Sequence, residues 1–139
     1  MVTITTAADL DALARLRAFV EQACRANGIA ETFCAGLQLA VDEVCSNIII
    51  HGYANQTTGS LTVTFAYTAP QIKITIQDQG RPFDPQQADP PDLSTDWSER
   101  AIGGLGIHLV RQVVDRLEYS SDPVTGNVLV LFKDWEQVP

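Results

Sequence analysis

The sequence predicts an α+β two-layer sandwich, in which an antiparallel or mixed, mostly antiparallel sheet carries three helices on one face. Three observations lead there. Apolar residues recur at steps of three and four through roughly the first fifty positions; the period falls to two from Gly59; and a last helical pattern is followed by two short alternating runs. The 139 residues suit one domain, 1–139, since domains commonly run to about 100–150 residues.

The elements follow in order. Thr6-Ala-Ala-Asp9 has the shape of a capping box. Leu10, Leu13, Leu16, Phe19 and Val20 then keep helical spacing until Asn27-Gly28 offers a left-handed stop, which predicts a helix over 7–26. Phe33, Leu37, Ala40, Val41, Val44 and Ile48 form the core stripe of a second helix over 31–52. Leu61, Val63, Phe65 and Tyr67, then Ile72, Ile74 and Ile76, alternate with polar or small residues, which predicts a hairpin of strands at 61–67 and 72–77. Four of the seven prolines fall between Pro82 and Pro91, so the stretch up to Arg100 reads as a long loop, and long loops in compact domains are commonly functional. Ile102-Gly103-Gly104-Leu105-Gly106 opens a third helix carrying Ile107, Val110, Val113, Val114 and Leu117. Glu118–Ser121 and Val128–Trp135 read as strands joined by a turn.

Composition narrows function. With 17 acidic against 9 basic residues, a net charge of −8 and no basic cluster, the chain lacks the electrostatic footprint of a nucleic-acid binder. The longest stretch free of charge, 44–72, is broken by Ser46, Asn47, His51 and several threonines, so no membrane span is expected. The first residues show no basic start followed by an apolar core, and cytoplasmic placement is the expectation. Cys24, Cys34 and Cys45 are odd in number and far apart, which suits reduced thiols packed in helices.

Three groups of residues have chemical potential. Glu43 and Asn47 stand four apart and face one side of the second helix. They pair a proton acceptor with a carboxamide oxygen that suits a hard cation, although such a pair is commonly just a solvated helix edge. Asp78 follows an alternating strand and precedes Gly80. Its carboxylate is suited to accept an exocyclic amine such as adenine's, and a plain turn is the competing reading. Gly103-Gly104-Leu105-Gly106 at a helix start could cradle an anion on backbone N–H groups, although it matches neither a Walker loop nor GxGxxG.

Taken together, and in this order, the three groups resemble the GHKL ATPase superfamily with its Bergerat nucleotide-binding fold. The wording is most similar to the bacterial anti-sigma-factor serine/threonine kinases. The boxes stand here as Glu43–Tyr53 (ExxxN, then HGY), Asp78–Pro85 (DxGxPFDP) and Gly103–Val110 (GGLGIxLV), and the resemblance spans about residues 8–134. It implies ATP and Mg2+ as cofactors. Asn47 would coordinate the magnesium, Glu43 would be the base towards a substrate serine hydroxyl, and Asp78 would bind the adenine amine. Gly80 would line the purine pocket, Gly104, Leu105 and Gly106 would meet the phosphates, and 84–102 would form an ATP lid. No lysine stands near the phosphates, which leaves Arg100 as the candidate cation. The resemblance further implies a homodimer that phosphorylates a STAS-domain anti-anti-sigma protein and holds a sigma factor inactive. The alternative is a nucleotide-binding regulatory module that switches partners without phosphoryl transfer. Neither His51 nor His108 is free to serve as the phosphoacceptor of a histidine kinase.

Overall fold

The computed structural model of the protein describes residues 1–54, 59–82 and 104–136. Strand β1 (Val2–Ala7) leads into helix α1 (Ala12–Ala26) and helix α2 (Glu31–Asn47), which continues as a π turn (Ile48–Gly52). Strands β2 (Ser60–Thr68) and β3 (Gln71–Asp78), helix α3 (Gly104–Val113), and strands β4 (Arg116–Asp122) and β5 (Gly126–Asp134) complete it. The five strands lie in the order β1-β2-β3-β5-β4, and each neighbouring pair is antiparallel. The sheet is therefore antiparallel throughout the described residues rather than mixed. α1 packs on α2 and α2 on α3, forming the second layer.

Three elements differ from expectation. The predicted first helix begins at 7, but the β-branched run Val2–Thr6 instead pairs with β2 as an edge strand. Asp9, read as the far partner of a Thr6 cap, is itself the capping group: its Oδ1 accepts the Ala12 N–H at 3.0 Å. At the other end of α1 the prediction is met, with Gly28 at φ 69° and the Ile29 N–H bonded to the Cys24 carbonyl at 2.9 Å. The second difference lies in the predicted helix 31–52, which is α-helical only to Asn47. There the turn widens, and the Tyr53 N–H reaches the Ile48 carbonyl, five residues back, at 2.9 Å. Third, the last helix, expected to carry Leu117, ends at Val113, and Leu117 pairs with Leu131 in β4 instead.

The core is the expected one. Leu16 and Val20 of α1, Leu37, Val41 and Val44 of α2, and Ile72, Ile74 and Ile76 of β3 are all buried. By length and mean hydropathy the helical stretch Glu31–Gly52 could cross a membrane, but its apolar stripe is spent on α1, α3 and the sheet, as in a core helix. The three cysteines are free and buried. Trp135 packs its ring against Tyr67 and Phe33 at centroid distances of 5.9 and 6.4 Å, closing the end of the sheet remote from Asp78.

Strand geometry now positions the site. Successive side chains of a strand alternate between faces, so the period that buries Ile72, Ile74 and Ile76 must turn Asp78 inward as well. Asp78 stands opposite Leu61 on one side and Asn127 on the other, so the last step of an apolar row is polar.

Candidate functional site

Where the row turns polar, α2, the sheet and α3 leave a cleft of about 420 Å³ including its mouth. Val44, Asn47 and Ile48 form its helical wall, Asp78, Tyr119, Asn127 and Leu129 its sheet wall, the buried Ile107 its α3 side, and Gly52 and Arg81 its rim. Two of the predicted residues, Asn47 and Asp78, therefore meet although they are far apart in the chain.

Asp78 is 7% exposed. Its Oδ1 accepts the Gly80 N–H at 2.8 Å and the Asn127 Nδ2–H at 2.9 Å. Both bonds fall on the same oxygen, so Oδ2 keeps no protein partner among the described residues. Burial raises the carboxyl above its ordinary pKa, and the hydrogen bonds from Asn127 and Gly80 pull against that rise. A desolvated acceptor with one free oxygen can take a donor such as a base amine.

Asn47 is 6% exposed, and its buried Nδ2 has no hydrogen-bond partner among the described residues. Leaving a buried polar atom unpaired costs about 1–3 kcal/mol, so such a group is commonly completed by a ligand or water. A carboxamide turned over about its terminal bond offers oxygen in the same place. One such oxygen fits magnesium, which takes few protein ligands and fills its shell with water and phosphate. No cluster of three or more His, Cys, Asp or Glu exists among the described residues to hold a metal by itself.

Glu43, one helical turn before Asn47, is half-buried, with no hydrogen bond or ion pair to other described residues. Desolvation raises its carboxyl, and the neighbouring Asp42 charge adds to the rise. It lies outside the ring of residues that line the cleft. Gly104, Leu105 and Gly106 form the first turn of α3, immediately before the cleft-lining residue Ile107. The lid segment 84–102 and Arg100 lie outside the described residues, whereas Arg81, which follows β3, stands on the rim.

Gly80 has a role the sequence reading did not assign. A Cβ at this position would lie 2.9 Å from the Gly52 backbone, so its bare backbone lets the π turn dock on the end of β3, where the Arg81 N–H bonds to the Gly52 carbonyl at 2.7 Å. Gly52, not Gly80, faces the cleft. Tyr53 braces the same junction. Its hydroxyl donates to the Ser60 carbonyl and accepts the Gln79 N–H, both at 2.8 Å.

Sequence reasoning also missed Asn127 and Tyr119. The available signal was an asparagine, a residue depleted from strands, at the start of an apolar run just after Gly126.

A family model described as the histidine kinase-like ATPase domain matches residues 6–133. The serine-protein kinase RsbW of Bacillus velezensis is 26% identical over 106 residues, which cover 73% of this chain and 66% of that protein. RsbW of Halalkalibacterium halodurans is 30% identical over 101 residues, covering 70% of this chain and 60% of that protein. The chain thus spans about two thirds of these relatives' length. Among solved structures, the RsbU and RsbW domains of a Mycobacterium tuberculosis protein superpose with a TM-score of 0.61 at 14% identity, covering 96% of this chain and 32% of that one. The histidine kinase domain of a blue-light activated kinase from Erythrobacter litoralis gives 0.55 at 18% identity, covering 87% and 58%. These two show the likeness of fold. With its two-layer fold, its cleft between α2 and the sheet, and a family match from residue 6 to residue 133, the chain belongs to the histidine kinase-like ATPase domain family.

Proposed function

We propose that the protein is an ATP-dependent serine/threonine protein kinase of the anti-sigma type, which phosphorylates a STAS-domain anti-anti-sigma protein and sequesters a sigma factor. One observation carries this reading: Asn47 and Asp78, the only two polar residues of the motifs that are buried among those described, line one cleft, and each keeps an atom free of protein partners. The name of the relatives, serine-protein kinase RsbW, supports the same class.

In this reading the Asp78 carboxylate takes the adenine amine, and the backbone N–H groups at the start of α3 face the phosphates. Asn47 would hold Mg2+, which when bound neutralises phosphate charge. Phosphoryl transfer asks little covalent help of a protein, so orientation and one base can suffice. Glu43 accepts the proton of the substrate hydroxyl as that oxygen bonds to the γ-phosphorus and ADP leaves. The raised carboxyl of Glu43 makes it a better proton acceptor at neutral pH than an ordinary glutamate would be. The protein works as one domain in the cytoplasm, as a homodimer.

A second reading also has an observation behind it. Glu43 is not among the cleft-lining residues, which favours a module that binds nucleotide and switches partners without phosphoryl transfer. Incubation with labelled ATP, magnesium and a STAS-domain protein decides between them. Label on a partner serine supports the kinase. Nucleotide binding and partner capture with no label transferred supports the module and sinks the kinase.

A further inference from the structure

The nucleotide reading leaves open what holds the base-reading carboxylate in place, and the answer lies outside all three motifs. Asn127 begins the inward row of β5, is 5% exposed and lines the cleft directly opposite Asp78. Its Nδ2 donates twice, to Asp78 Oδ1 at 2.9 Å and to the Gly80 carbonyl at 2.8 Å. Its Oδ1 accepts the Ser121 hydroxyl at 2.7 Å and the Tyr119 hydroxyl at 3.4 Å. The Asp78 carboxylate and the Gly80 carbonyl can only accept, so the end of the carboxamide that faces them must be NH2, and its oxygen takes the two hydroxyls.

Resting on the nucleotide reading of the cleft, the geometry points to Asn127, oriented by Ser121, as a positioning residue that ties down Asp78 Oδ1 and so delivers Oδ2 to the amine of the bound base. A carboxylate at the end of a strand can rotate about its terminal bond, and either oxygen could then turn to the ligand or to water. With Oδ1 held from the side by Asn127 and from the backbone by Gly80, one orientation remains, and its ordering is complete before the ligand arrives. The β4–β5 hairpin thereby becomes part of the recognition machinery, because Ser121 at the end of β4 acts on the base only through Asn127 and Asp78.

The test compares ATP with purine riboside triphosphate, which lacks the amine, by calorimetric titration in the presence of magnesium. Wild type is expected to prefer ATP. Asn127→Ala removes both donated bonds. It should weaken ATP by about tenfold and purine riboside triphosphate by less than about twofold, because a hydrogen bond to a charged group is at stake only where Oδ2 is used. Asn127 is buried and its truncation could disturb the fold, so Ser121→Ala carries the test independently from an exposed position. It should narrow the ATP preference by about threefold, and Ser121→Thr, which keeps the hydroxyl, should restore it. A merely structural role predicts equal losses for both nucleotides. Equal losses, or an ATP preference that survives Ser121→Ala unchanged, overturns the positioning role while leaving the nucleotide site intact. Wild-type protein that binds neither nucleotide overturns the nucleotide reading itself.

Discussion

Asp78→Asn should make the empty protein more stable and the loaded protein weaker. The empty protein holds a carboxylate that is 7% exposed, and burial dominates its raised pKa. For an acid whose folded pKa lies above its unfolded value, the folded state binds more protons between the two. Stability therefore falls as pH climbs through that window, and the penalty is present in full above the folded pKa. A neutral asparagine removes the penalty. Its carboxamide oxygen can still accept the Gly80 and Asn127 N–H groups that now meet at Oδ1, which places its NH2 where Oδ2 stood. That NH2 faces the amine of adenine, donor against donor, and costs about 1–3 kcal/mol, or about five- to 150-fold in ATP affinity. The same NH2 matches the O6 acceptor of guanine, so the ATP-to-GTP ratio should move towards GTP. Thermal unfolding of the empty protein, read from acidic to neutral pH, should show the variant equal to wild type at the acid end and above it at neutral pH. Calorimetric titration should show the loss for ATP. Unchanged ATP affinity together with an unchanged GTP ratio refutes the pocket assignment. A lower melting temperature at neutral pH refutes the claim that desolvation outweighs the two hydrogen bonds.

Three further outcomes are expected. Glu43→Gln should keep ATP affinity and slow transfer to a serine of a STAS-domain protein by about 10²–10⁴-fold. In wild type that rate should fall away with acid at a higher pH than an ordinary glutamate allows, because the base must be ionised and its carboxyl is raised; a quench-flow pH series reads both. Asn47→Ala deletes a buried group whose Nδ2 has no partner among the described residues, so the melting temperature of the empty protein should stay within about 3 °C, an effect near 1 kcal/mol for a domain of this size. The gain in ATP affinity on adding magnesium should meanwhile disappear. Gly80→Ala should cost about 1–3 kcal/mol of stability, since the added methyl would sit 2.9 Å from the Gly52 backbone, and chemical denaturation should register it with or without nucleotide.

Reading the sequence worked best where one local rule sufficed. The period-two run over Ile72, Ile74 and Ile76 carries inward orientation on to Asp78, and the helical stripe on α2 sets Asn47 one turn beyond Glu43. Reading failed where two local rules competed, or where the decisive contact was remote. Thr6 through Asp9 satisfied a capping signature, while the β-branched residues before it satisfied a strand, and pairing with β2 decided the outcome. The widened turn after Asn47 leaves no mark on apolar spacing, because Ile48, Ile49 and Ile50 are apolar in any phase. Asn127 becomes a site residue only through its register against Asp78, a contact across 49 positions that no local window contains. Gly80 was legible as a close approach, but what approaches it is this chain's own Gly52.

The place of β5 in the sheet bears on when the protein can first meet its ligand. β5 inserts between β3 and β4, so an interior place in the sheet is filled by a strand made after all the others described. Until β5 has emerged from the ribosome, β3 has a bare edge, Asp78 lacks Asn127 beside it, and Leu129 is absent from the cleft wall. A growing chain that has displayed all three motifs therefore still has no finished pocket. Nucleotide captured by the completed sheet stabilises only that state, by mass action. In the nucleotide reading, bound ATP would thus favour chains whose β5 is in place over chains in which it has yet to pair.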